Sequence, residues 1–141
     1  MGEGELKDVA ARLHSTAIRL LRTLRREDDG SGLSAPRLSA LSVIVYAGPL
    51  SLAALAEAEQ VKPPTMSRIV EALVTRGLVT REAKPGDRRS VRIAATEEGN
   101  QLLAAGRERR VRALVARLGR LADSERRALA RGVEILERVT R

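Results

Sequence analysis

Apolar residues recur at helical spacing from the start of the chain: Leu6, Val9, Ala10, Leu13, Ala17, Leu20, Leu21 and Leu24 form one stripe, while Arg12, Arg19, Arg22 and Arg26 take other faces. The pattern predicts a long amphipathic helix ending in the polar, glycine-rich loop Glu27-Asp28-Asp29-Gly30-Ser31-Gly32. Ser34 then offers an N-cap and Pro36 fits the first turn of a second helix. That helix, through Leu38, Leu41, Ile44 and Val45, is apolar enough to lie in a core. Gly48-Pro49 breaks it, and Ser51 can cap a short helix over residues 52–57 with Leu52, Leu55 and Ala56 facing inward.

A further helix is expected from about residue 63 to about residue 76. Pro63 and Pro64 stand where a helix's first amides need no internal partner, and Met66, Ile69, Val70 and Leu73 follow at i, i+3, i+4 and i+7. Gly77 stops this helix. Residues 78–83 and 90–94 read as two strands joined by the turn Lys84-Pro85-Gly86-Asp87, a basic hairpin. Thr96 with Glu97 and Glu98 marks the start of a helix running to about Gly119, because a hydroxyl and two carboxylates suit the positive end of the dipole. Leu121-Ala122-Asp123-Ser124-Glu125 opens the last helix, with Leu129, Val133, Leu136 and Val139, and Ile135 beside them, as its apolar face. At ~1.5 Å per residue the first and fifth helices reach about 30 Å and 34 Å, close to the width of a compact domain. Both are expected to project beyond the core, and apolar stripes on projecting helices need a partner.

The length of 141 residues suits one folded unit spanning 1–141, completed by a second copy of itself. Charge changes the picture further: 26 Lys plus Arg face 18 Asp plus Glu, a net +8 with a pI near 11.2. The excess is concentrated in residues 62–92 and 107–141, which suits a polyanion, nucleic acid above all. With a single aromatic residue, Tyr46, there is no platform for stacking unpaired bases, so double-stranded DNA is the expected partner.

The absence of cysteine excludes a disulfide framework, a Cys zinc site and a thiol nucleophile. One histidine, no glycine-rich phosphate loop and no paired ligands argue against an enzyme, a metal or a cofactor. The N-terminus lacks a signal-peptide pattern and no stretch approaches a membrane span, so a cytoplasmic protein without a membrane partner is expected.

Two helices joined by a short turn, the second with a polar N-terminal face and followed by a basic hairpin, give the element order of a winged helix-turn-helix over residues 34–95. The fold class is therefore mainly α with a small β-hairpin wing. If Met66, Ile69, Val70 and Leu73 hold the second of these helices to the core, Lys62, Pro64, Thr65, Arg68 and Ala72 are left outside, able to enter a major groove. Arg68 can donate twice to guanine, Thr65 can touch a base edge or a thymine methyl, and Ser67 is placed for a phosphate. Arg88 and Arg89 at the narrow hairpin tip fit a minor groove, with Asp87 as a local brace.

Blander readings stand beside these. Arg68 can be a solvated helix residue, and Arg88 and Arg89 a charged turn. For Arg107, Arg109, Arg110 and Arg112, a solvated face with salt partners is favoured over DNA contact. Asp28 and Asp29 lack calcium-loop spacing and read as a solvated turn. Tyr46 reads as a core residue with its hydroxyl satisfied, although it and His14 are also candidates for an effector pocket.

The chain resembles the MarR-like transcriptional regulators along nearly its whole length. The resemblance is carried by the long first helix, Gly48-Pro49-Leu50-Ser51-Leu52, Thr65-Met66-Ser67-Arg68-Ile69-Val70 with Leu73, Arg76-Gly77-Leu78-Val79, Asp87-Arg88-Arg89-Ser90 and Thr96-Glu97-Glu98-Gly99. It departs from the family's pattern at Pro63-Pro64 and at Ala95, where a leucine usually precedes the threonine.

The resemblance implies a homodimer whose terminal helices, 1–30 and 97–141, interlock. Leu6, Val9, Leu13, Leu129, Val133 and Leu136 are the expected interface. Two winged modules would then read a pseudo-palindromic duplex, usually as a repressor released by a small-molecule effector. It also puts Thr65, Ser67 and Arg68 in the recognition helix and Arg89 at the wing tip. The competing functions are an architectural binder of double-stranded DNA indifferent to sequence, and a helical module that only dimerises.

Overall fold

The computed structural model describes residues 1–84 and 86–141, the side chains of Lys84, Arg88 and Arg89 excepted. Helix α1 (Glu3–Arg25) leads through a 3₁₀ turn (Arg26–Ser31) to α2 (Ala35–Ala47), α3 (Leu52–Ala58) and α4 (Pro63–Thr75). The hairpin β1 (Val79–Lys84) and β2 (Asp87–Ala95) follows, then α5 (Glu97–Leu118) and α6 (Asp123–Val139).

One core holds the middle of the chain together. Ala40, Leu41 and Ile44 of α2, Leu55 and Ala56 of α3, and Met66, Val70 and Leu73 of α4 are buried with Leu78, Val79, Ile93 and Leu103. Ile69 and Leu52 pack against this cluster from its edge. The expected inward faces of the three short helices are thus the observed ones, except that Ala72 is half-buried rather than fully outside. Leu50 exchanges two backbone hydrogen bonds with Ile93, at 2.8 Å and 3.1 Å, which pins the lead-in to α3 against the hairpin.

The hairpin is antiparallel, its register running from Val79↔Ala95 to Ala83↔Val91 and then jumping to Lys84↔Asp87. Strand β2 therefore begins at Asp87, three residues before the sequence pattern suggested, and Pro85 lies outside the described residues. Ser51 and Thr96 cap as expected, accepting from the amides of Ala54 and Gly99 at 3.1 Å each. The Thr96 hydroxyl also donates to the Gly77 carbonyl at 2.6 Å, which ties the start of α5 to the exit from α4. Ser34 occupies the N-cap position of α2 but makes no side-chain cap bond.

Three expectations need correction. The segment 27–32 is not an open loop but continues α1 as a 3₁₀ turn, and its Asp28 is paired with Arg110 of α5 rather than solvated. Tyr46 is not a core residue: it is 75% exposed. It stands two residues beyond Ile44, about 200° round the helix from that buried side chain. Arg112, exposed, pairs with Glu108 at 2.6 Å in keeping with the salt-partner reading, whereas Arg109 is half-buried and donates to the Glu27 backbone carbonyl at 3.2 Å.

The terminal helices behave differently from the middle. Among the described residues, none in α1 or α6 is buried, although α1 runs for 23 residues and α6 for 17. Leu6, Val9, Leu13, Leu129 and Val133 are exposed and Leu136 is half-buried. No helix among the described residues is long and apolar enough to cross a membrane.

Candidate nucleic-acid interface

The candidate reading helix is α4, and the chain fixes both of its ends. At its start Pro63 and Pro64 occupy the first helical positions, where their missing amides cost nothing and their restricted φ suits the helix. At its end the Gly77 amide donates to the Val74 carbonyl at 2.9 Å, and the Leu78 amide donates to the Leu73 carbonyl at 3.0 Å. Gly77 takes φ +71° to close this pair, the left-handed C-terminal motif that glycine adopts without strain. The same two-bond closure ends α3: the Gln60 amide reaches the Glu57 carbonyl at 3.1 Å and the Val61 amide reaches the Ala56 carbonyl at 3.0 Å. Here the left-handed residue is Gln60, at φ 55°. It makes the turn between the two helices.

With Met66, Val70 and Leu73 fully buried, the helical period leaves Pro64, Thr65 and Arg68 exposed and Ser67 half-buried beside them, and Lys62 is exposed at the N-cap. A cation, a hydroxyl and the proline ring thus share the N-terminal half of α4, with no acidic residue in its first turn. The helix's positive dipole end points the same way, which favours an anion there.

The hairpin after α4 is basic as well. Arg81 and Arg92, which the sequence pattern alone did not single out, are exposed on its stem. They lie on opposite faces of the hairpin, Arg81 across from Ile93 and Arg92 across from Glu82. The side chains of Arg88 and Arg89 lie outside the described residues. Their backbone belongs to β2 at the tip end of the hairpin, next to Asp87, which is exposed and has a bonding partner.

His14 and Tyr46 are both exposed, on α1 and α2 respectively. Neither lines the cavity of about 480 Å³ that opens between the 3₁₀ turn, α2 and α5. Its walls are Leu33, Leu38, Val43 and Leu103, with Ser39 and Ser42 on one side and Arg25, Asp28, Asp29 and Arg110 at the other. Ser39 and Ser42, set among the apolar residues of α2, were the sequence trace of this cavity.

A helix-turn-helix with a two-stranded wing, flanked by long helices, is the architecture of a winged-helix DNA-binding protein. The family model that matches this chain is that of the MarR family, over residues 33–91. An uncharacterised helix-turn-helix type transcriptional regulator of Mycobacterium bovis, Mb0904, is 35% identical over 128 residues, covering 91% of this chain and 90% of the relative. Among solved structures, RV1404 of Mycobacterium tuberculosis superposes with a TM-score of 0.79 at 26% identity, covering 94% of this chain and 92% of that one. A point mutant of MepR from Staphylococcus aureus, bound to an oligodeoxyribonucleotide, has the same fold with a TM-score of 0.73 at 15% identity, covering 94% and 98%. The chain belongs to the MarR family. It is a DNA-binding transcriptional regulator and not an enzyme.

Proposed function

We propose that this regulator is a homodimeric, ligand-responsive repressor that reads a pseudo-palindromic operator by base sequence. The observation that carries the reading is the two-sidedness of α4: Met66, Val70 and Leu73 are fully buried while Pro64, Thr65 and Arg68 are exposed away from them, with Lys62 exposed at the N-cap. A helix held so rigidly along one side can present the other to a major groove. There Arg68 donates to guanine O6 and N7, Thr65 meets a base edge, Lys62 and Pro64 flank them, and Ser67 donates to a phosphate. Arg88 and Arg89 enter the neighbouring minor groove and Asp87 braces the tip.

Dimerisation supplies the second half-site. The apolar stripe of α1, with Leu6, Val9 and Leu13, and that of α6, with Leu129 and Val133, are exposed among the described residues, and Leu136 beside them is half-buried. Leu118, Leu129, Ala130 and Val133 also line a hollow of about 380 Å³, suited to apolar side chains of a second copy. The cavity beside α2 is the favoured effector site, in place of His14 and Tyr46, which do not line it. An effector that binds only the DNA-incompetent arrangement releases the operator by population shift. The place of action is the cytoplasm, with the DNA.

The testing experiment is selection of bound duplexes from a random pool at near-physiological salt. An inverted repeat with half-sites about one helical turn apart supports the reading. Recovery of duplexes without a shared motif would favour a sequence-indifferent architectural binder instead.

A further inference from the structure

The C-cap residue of α4, Arg76, is exposed, but its guanidinium is engaged by backbone carbonyls. It donates to the Gly32 carbonyl at 3.0 Å and to the Ser31 carbonyl at 3.3 Å, across 44 and 45 residues of sequence. The turn it grips, Arg26–Ser31, is held from the other side by α5. Arg110 pairs with the Asp28 carboxylate, and the Arg109 Nε donates to the Glu27 carbonyl at 3.2 Å.

Three glycines lie against the three arginines. Gly32 takes φ +71°, and a Cβ there would meet the Arg76 guanidinium at 3.4 Å. At Gly30 the Arg109 Nε lies 3.6 Å from where a Cβ would stand. Gly106, buried on α5, lets the Arg110 guanidinium pass 3.3 Å from where its Cβ would be. The Arg110–Asp28 pair is about three-quarters shielded from solvent, so it is less weakened by water than the helix-surface pairs elsewhere in the chain.

We propose that Arg76 is a positioning residue for the DNA-reading helix, acting through the 26–32 turn that Arg109 and Arg110 latch to α5. The inference rests on α4 being the helix that reads DNA. Helix α4 is about 20 Å long, so a tilt of about 5° at its C-cap moves its base-reading end by about 2 Å, more than a hydrogen bond to a base edge tolerates. Because Asp28 and Arg110 also wall the cavity beside α2, the α5 end of the latch is within reach of whatever occupies that cavity.

The test uses the full-length protein, with affinity measured on its selected operator and on random duplex across a range of salt. Arg76→Ala is expected to lose about tenfold on the operator and no more than about twofold on random duplex, with an unchanged salt slope, since it touches no phosphate. Arg110→Ala shifts the same ratio, the double variant loses no more than Arg76→Ala alone, and Arg76→Lys recovers part of the loss. Equal losses on both duplexes, a slope lower by about one per subunit, or losses that multiply in the double variant would overturn the proposal. Amide exchange without DNA decides independently: Arg110→Ala should speed exchange at Gly77 and Leu78 as well as in the turn. Acceleration confined to 26–32 would sink the latch. If the wild type selects no operator, the base-reading assignment falls while the exchange result still judges the latch.

Discussion

Gln60 and Gly77 occupy the same left-handed position at the ends of the two helices of the reading motif, with φ of 55° and 71° and the same pair of closing backbone bonds. Glycine takes this conformation without steric cost, whereas a residue with a Cβ gives up about 1 kcal/mol or more. Gln60→Gly is therefore expected to raise stability by about 0.5–1 kcal/mol, the relief of strain outweighing the added freedom of the unfolded chain. A urea midpoint reports it, and the converse Gly77→Gln should lower the midpoint. A lower midpoint for Gln60→Gly would show that the glutamine side chain contributes more than its backbone strain costs.

The same two residues mark where the sequence was legible. Gly77 announced its turn because glycine is the usual left-handed residue, while Gln60 carries no such signal. The buried period Met66, Val70 and Leu73 could be read directly, because core packing obeys helical geometry. The caps at Ser51 and Thr96 could be read from local chemistry. Tyr46 misled because its bulk suggests burial, yet its place on α2 is decided by phase relative to Ile44. The latch of Arg76, Arg109 and Arg110 was hidden because its partners are mostly backbone carbonyls far along the chain, which leave no pattern in side-chain types. The cavity left little beyond the two serines of α2 as a trace, since its walls come from α1, the turn, α2 and α5.

Association should depend on the stripes that one chain leaves uncovered. Changing both Leu129 and Val133, which are 41% and 46% exposed, to Asp places two carboxylates on the proposed interface without touching the core. Sedimentation is expected to show a monomer with unaltered helix content. A variant that stays dimeric would place the interface elsewhere.

On the proposed reading the wing contributes charge more than sequence. Arg89→Ala should weaken binding to operator and to random duplex alike, and reduce the salt slope by about one contact per subunit. Titrations at several salt concentrations check this. An unchanged slope would remove Arg89 from the DNA.

Base reading by the outer side of α4 is the central claim, and Arg68→Ala tests it most directly. Arg68 is exposed, whereas its neighbours Met66 and Val70 are fully buried, so its removal should leave the fold intact. The measurement compares affinity for the selected operator, for that operator changed one base pair at a time, and for random duplex. The expected result is a loss of about 1–3 kcal/mol on the operator with preference relaxed at one position in each half-site. An equal loss on every duplex, with all base preferences kept, would contradict it and make Arg68 a phosphate contact.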